Sequence, residues 1–362
     1  MTRPMRHFEH TFEKIELDHR SRCGSSDNRT RRPRHRPAEH HRLTHVPHHP
    51  PGLFGNAATS IRAGSGSPFL TRLAEIDLTA ARLPQRNTSL SGSMLTNAAD
   101  VAPRRHNVRV TDVNVHRFGP ADGPLVLALH GLTGHGRRWA ALAEEYLPDL
   151  RIIAPDLRGH GRSSALPPWT LEAVADDLVP LLAGEPALVV GHSFGGATAL
   201  HLAQRHPELV RSLVLLDPAM GMDPTDMFEI ARSILDHPDY ADVEAARHDK
   251  LETAWAEVES RLLDAELAEH LVPTESGRVA WRISLPAIIS YWGQLAREIV
   301  LPPAELPTVL VHAMKSPIVT PRLRAALADH LGDRLTIHEF DCDHMVSQAR
   351  PAETATVIRA AL

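Results

Sequence analysis

The 362 residues carry 39 Lys+Arg against 44 Asp+Glu, enough chain for one large core or two domains. Two cysteines, Cys23 and Cys342, exclude a disulfide framework, and Cys342 reads as a small buried hydrophobe rather than a reactive thiol. No stretch approaches the roughly 20 apolar residues of a membrane span and no signal segment opens the chain, so no membrane partner is expected and the compartment is expected to be cytoplasmic.

The charge is unevenly placed. Residues 1–100 hold 15 basic and 9 acidic side chains, leaving 24 and 35 for the remainder, so a basic tail is joined to an acidic body. The stretch RTRRPRHRPAEHHRLTHVPHHPPG is mostly Arg, His and Pro and cannot bury enough apolar surface to offset the entropy of ordering it. Residues 1–105 are therefore expected to form a disordered, low-complexity tail. Its Arg run lacks interleaved aromatics, and its six histidines from His35 to His49 lack fixed ligand spacing, so neither a nucleic-acid partner nor a metal is assigned. Met94, just ahead of the first patterned segment, is an alternative natural start.

From residue 106 to 362 short β-rich runs alternate with helical ones. Val108 to His116 alternates like a half-exposed strand or hairpin, and LVLALH (125–130) is continuously apolar, as a strand covered on both faces should be. RIIAP (151–155), ALVVG (187–191), RSLVLLD (211–217), TVLVH (308–312) and LTIHEF (335–340) repeat that theme, with helices expected over 137–147, 170–183, 194–205 and 322–331. The fold class expected is α/β, a mostly parallel central sheet flanked by helices.

Between about 220 and 300 no strand is expected. Residues 226–235, 243–271 and 283–300 read as helices, with breaks at His237-Pro238, Pro273 and Pro286. Such an insertion belongs over the C-terminal edge of the sheet, where ligands bind. Trp255, Trp281, Tyr291 and Trp292 read first as its core, with some available to line a pocket.

GHSFGG (191–196) lies between a strand and a helix. A sharp turn there crowds the backbone and forces its middle residue to positive φ, so small residues stand two positions either side of Ser193. A serine nucleophile needs a base and oxyanion donors. The backbone N–H groups of Leu132, in HGLTG (130–134), and of Phe194 are the candidate donors. His344, in DCDHMVSQARP between the last strand and the last helix, is the candidate base.

HGLTG, DLRGHGRSS (156–164), GHSFGG and DCDHMV, in that order, resemble the α/β-hydrolase fold superfamily, as a capped serine hydrolase of the esterase or lactonase kind. The resemblance covers 106–362, with a helical cap at about 220–300. It implies a Ser, acid, His triad in that chain order and a bracing role for Asp156 and Arg158. Many members carry an aspartate in the loop after the strand matching TVLVH; here that position is Ser316, beside Lys315. A hydroxyl does little to stabilise an imidazolium, so the acid is expected at Asp217, ending the preceding strand as in some members. The alternative for Asp217 is a helix cap or a turn with Pro218. Asp341 and Asp343 rank below it, because immediate neighbours on a strand end point away from His344. Ser316 is then expected to matter least among the motif positions.

The expected function is serine-dependent hydrolysis of a carboxylic ester, lactone or thioester of a small molecule through an acyl-enzyme, with water as co-substrate and no cofactor. Amide or C–C bond hydrolysis on the same triad, or non-catalytic binding of a small molecule, are the alternatives. Arg278, Arg282 and Arg297 are the candidates for meeting a carboxylate on the substrate. Oligomeric state has no signature in the sequence.

Overall fold

The computed structural model describes residues 112–362. The expected tail, the Met94 start and the beginning of the Val108 to His116 run lie outside the described residues. Nine strands are seen among these residues: β1 Val115–Phe118, β2 Leu125–Leu129, β3 Arg151–Pro155, β4 Ala187–His192, β5 Val210–Leu216, β6 Leu271–Pro273, β7 Val279–Trp281, β8 Thr308–Ala313 and β9 Leu335–Phe340.

Seven of them form one sheet in the order β1-β3-β2-β4-β5-β8-β9, parallel throughout except for β1, which runs antiparallel to β3. The continuous apolar runs follow from that placement, since β2 and β4 are buried on both faces. Alternation divides their side chains: Leu125, Leu127, Leu129 and Val189 enter one core, and Val126, Ala128, Leu188 and Val190 the other. The strand order reverses direction between β2 and β4, and a crevice opens outside the C-terminal ends of strands at such a point. That edge is where β2 leads into Gly131 and β4 into Ser193.

The expected helices at 170–183, 194–205 and 322–331 are Leu171–Leu182, Phe194–Arg205 and Pro321–Leu331. The segment expected as a helix over 137–147 is instead a 3-10 turn, Gly136–Trp139, followed by a π-helical turn, Leu142–Tyr146. Its start is pinned sideways, because the Gly136 N–H donates to Asp156 Oδ1 at 2.7 Å.

The chain between β5 and β8 is mostly helical, with Pro224–Asp236, Val243–Leu251, Ser260–His270 and Leu285–Leu295. The single helix expected over 243–271 is broken by turns that bury Trp255 among Ala246, Val258, Leu263 and Leu267. The expectation of no strand here is corrected by the β6–β7 hairpin, in which Pro273 opposes Val279. Two three-residue strands are too short to show a period of two in sequence. Pro286 starts a helix rather than breaking one, at a position where its missing N–H costs nothing. Among the described residues no helix is long and apolar enough to cross a membrane.

Candidate active site

The turn after β4 is as tight as its glycines require. Ser193 has φ +54° and ψ −118°, held by its N–H to Leu216 O at 3.1 Å and by its carbonyl accepting from Gly196 and Ala219. Backbone outside the usual regions costs about 1–3 kcal/mol and persists only where neighbours fix it. A Cβ on Gly191 would lie 2.4 Å from Gly195 O, and one on Gly195 would lie 2.3 Å from Leu129 O. Ser193 occupies the N-cap of Phe194–Arg205, yet its side chain caps nothing there. Phe194 is the first residue of that helix, so its N–H has no acceptor within it.

Asp217 follows β5, with φ +44° and its side chain fully buried. The Nδ1–H of His344 donates to Asp217 Oδ2 at 2.6 Å, and the Ala313 N–H donates to Oδ1 at 3.2 Å. In the neutral ring this leaves Nε2 as the acceptor. The helix-cap alternative for Asp217 fails, because Asp223 caps Pro224–Asp236 through bonds from Thr225 and Asp226. Asp343 turns to the His344 backbone, accepting from its N–H at 2.6 Å. His192, beside the elbow serine, donates to His344 O at 2.7 Å and ties the two loops together.

Ser316 is not a bystander. Its Oγ–H donates to Asp217 Oδ2 at 2.5 Å, the same oxygen that receives His344 Nδ1–H. Nothing in the sequence signalled this contact: the position that lacks a carboxylate holds the neighbouring strand's carboxylate instead.

The other motif residues brace the edge. His130 donates from Nδ1 to Gly131 O at 2.8 Å and accepts the Leu157 N–H at Nε2, 2.9 Å, so it must be neutral, and burial holds its pKa well below the ordinary value. Asp156 accepts from Asn114, Gly136 and Arg162, while Arg158 forks onto Asp177 at 2.8 and 2.6 Å. Cys342 is buried, and burial pushes its thiol up to about 11, as its reading as a hydrophobe requires.

Ser193, His344, Leu132 and Ser316 line one cavity of about 610 Å³. The segment between β5 and β8 lines it with apolar side chains, Met222, Ile234, Trp255, Trp281, Trp292 and Leu295, and with charged ones, Asp249, Lys250 and Glu252. Tyr291 is buried in the core, its hydroxyl donating to Arg158 O. Arg278 and Arg297 pair with Asp239 and Glu172 at the surface, and neither they nor Arg282 lines the cavity. A substrate carboxylate is thus not met by these arginines.

The sequence profile of the α/β-hydrolase fold matches residues 124–348. The chain belongs to the α/β-hydrolase fold family. Lipase LipV of Mycobacterium tuberculosis is 50% identical over 258 residues, 70% of this chain and 98% of that protein. Two solved structures are similar at the level of fold. E-2-(acetamidomethylene)succinate hydrolase gives a TM-score of 0.59 at 23% identity, over 69% of this chain and 94% of that one. A thioesterase domain from the curacin biosynthetic pathway gives 0.57 at 21%, over 68% and 95%.

This hydrolase also carries residues beside its cavity that the sequence did not single out. Arg138 and Lys250 line the cavity, and Glu266 lies buried behind them. Burial of charge is invisible to a pattern of residue types, and Glu266 reads in sequence as an ordinary helix-surface residue. The signal within reach was HGRRW directly after HGLTG, which places a guanidinium close behind that glycine-flanked turn.

Proposed function

We propose that this hydrolase cleaves a carboxylic ester carrying an apolar acyl group, through an acyl-enzyme on Ser193. The observation that carries the reading is the 2.6 Å bond from His344 to the buried Asp217, with His344 lining the same cavity as a serine held at positive φ. His344 Nε2 takes the Ser193 proton as Oγ attacks the carbonyl carbon, and Asp217 stabilises the imidazolium. The N–H groups of Leu132 and Phe194 receive the developing oxyanion, each such donor being worth about 3 kcal/mol in comparable sites. His344 then protonates the departing alcohol, and water enters by the reverse sequence of proton transfers to release the acid.

The segment between β5 and β8 acts as a cap that receives the acyl chain against the aliphatic and aromatic side chains it supplies, Met222, Ile234, Trp292 and Leu295 among them. The likeness to a mycobacterial lipase supports esters over lactones and thioesters. An active-site fluorophosphonate probe tests the nucleophile: wild type is expected to label stoichiometrically and Ser193→Ala not at all. A p-nitrophenyl ester series from acetate to decanoate, run beside a thioester and a lactone, tests the class. Turnover confined to the thioester or lactone would replace the ester reading.

A further inference from the structure

Five buried or nearly buried titratable groups gather beside the cavity, and the proposed mechanism uses none of them. They are His135 and Arg138, after β2, and Lys250, Glu266 and His270, from the helices between β5 and β8. Glu266 accepts from Arg138 Nε at 3.1 Å and from His135 Nε2 at 2.9 Å, and Arg138 Nη2 closes the fork on its second oxygen. Lys250 Nζ lies 3.9 Å from Glu266 and over the rings of Trp281 and Trp255 at 4.5 and 5.0 Å. The His135 and His270 rings stack with centroids 4.6 Å apart.

What this cluster touches is the oxyanion turn. The Gly134 N–H donates to Gly131 O at 2.9 Å, which leaves Leu132 and Thr133 as the two central residues. Thr133 has φ +64°, a left-handed conformation that a β-branched side chain strongly disfavours. Its carbonyl accepts from His270 Nε2 at 3.0 Å and from Arg138 Nη2 at 3.4 Å. The strained residue is thus held by two donors, one of which belongs to the inserted segment.

We propose that His270, with the Arg138–Glu266 pair behind it, positions the oxyanion turn 131–134, so that the inserted segment completes the catalytic centre it covers. The inference rests on the assignment of Leu132 N–H as an oxyanion donor. A buried ion pair is weak grounds for stability, since apolar packing of the same volume often serves as well or better. No apolar pair can donate to the Thr133 carbonyl. Burial keeps His270 neutral, with its pKa well below the ordinary value, so one ring nitrogen carries the proton that this bond uses. Leu132, whose N–H is the donor, immediately precedes the residue so held, and misplacing a catalytic group by about 1 Å costs about 10²-fold in rate.

His270 is a positioning residue on this reading, so its signature lies in kcat and not in KM. His270→Leu, which loses the donor, is compared with His270→Gln, whose amide reaches about the place of Nε2. Arg138→Lys keeps a cation beside Glu266 and loses the fork. Full-length variants are assayed on p-nitrophenyl butyrate, titrated with a trifluoromethyl ketone that forms a tetrahedral adduct on the serine, and melted. For His270→Leu kcat should fall about 10- to 100-fold with KM within about twofold, and the ketone should weaken in parallel. His270→Gln should recover most of that loss, and Arg138→Lys should fall between wild type and His270→Leu. Loss of melting temperature with kcat and ketone affinity intact would overturn the proposal, as would a folded His270→Gln no better than His270→Leu. If His270→Leu does not fold, the ranking of wild type, His270→Gln and Arg138→Lys in ketone affinity decides, and equality among them overturns it. A wild-type chain that neither labels with fluorophosphonate nor turns over overturns the site assignment as well. A labelling, active wild type whose variants match it overturns this inference alone.

Discussion

The two walls of the cavity are built by opposite means. On the sheet edge, backbone shape does the placing: Ser193 and Asp217 both sit at positive φ, at the ends of adjacent parallel strands, and the glycines around the elbow leave no room for a Cβ. On the inserted side, side chains do the placing: Glu266, Arg138, His135 and His270 hold one another and the Thr133 carbonyl. A site made by strand ends tolerates change in the loops around it. One braced by a buried ion pair fails when Arg138 or Glu266 is removed, because the other charge is then left buried without its partner.

The sharpest way to break the comparison is on the sheet edge. Asp217→Asn keeps the shape of the strand end while favouring the wrong imidazole tautomer, and should lower kcat about 10⁴-fold. Asp343→Asn, which alters a carboxylate bonded to the His344 backbone, should stay within about tenfold of wild type. If the two variants exchange these effects in a p-nitrophenyl ester assay, the acid belongs to the His344 loop and not to the strand end.

Glu266→Ala tests the other wall. It strands Arg138 inside the protein, so it should cost about 3–5 kcal/mol of stability in a urea titration. Glu266→Leu together with Arg138→Met should recover much of that loss, since the apolar pair leaves no buried charge, but should not restore kcat.

Acid tests whether both walls melt as one unit. Burial holds His130, His160 and His192 on the edge, and His270 on the inserted side, below the ordinary histidine pKa, His160 at about 4. The folded state keeps these rings neutral where the unfolded chain, titrating near 6.5, takes up protons. Their contribution is therefore complete above about pH 6.5 and is lost as pH falls below it, by up to about 1.4 kcal/mol per pH unit for each ring. Urea midpoints measured from pH 7.5 to 5 should drop through that window, and a flat profile would show the rings to be solvated. Separate transitions by Trp fluorescence and far-UV circular dichroism would mean that the inserted segment opens first.

Most of the sheet edge was legible in the sequence and little of the inserted wall was. GHSFGG announces its turn because only glycine fits beside another backbone, and that requirement is local. The continuous runs of β2 and β4 announce burial on both faces, and from burial follows their central place. The contact of Asp217 with His344 was legible by elimination, through the missing carboxylate at 316 and a spare one ending the strand before it. The β6–β7 hairpin and the interrupted 243–271 helix were not legible, because three-residue strands and turns around a buried Trp are decided by tertiary packing. Glu266 and His270 were not legible because the carbonyl and guanidinium they meet lie more than 120 positions away in the chain.

Ser316 gives the smallest expected effect and the most pointed one. Two donors meet on Asp217 Oδ2, the imidazole at 2.6 Å and the Ser316 hydroxyl at 2.5 Å, while Oδ1 takes a backbone N–H at 3.2 Å. The hydroxyl fixes where the carboxylate points, and it also draws off some of the charge that would stabilise the imidazolium. Geometry favours keeping it, and basicity favours losing it. A hydrogen bond to a charged group is worth about 1.5–3 kcal/mol, and a freed carboxylate can still turn to the imidazole, so the orienting term should prevail by a modest margin. Ser316→Ala should therefore lower kcat about three- to tenfold at unchanged KM. Ser316→Asp would set a second carboxylate against Asp217 in a buried site and should do more harm than Ser316→Ala, since one of the two must then take up a proton. If Ser316→Asp instead matched or exceeded wild type in kcat, and did so in an Asp217→Asn background as well, the imidazole would be reachable from either strand, and the choice of Asp217 would be one of two workable arrangements of the same edge.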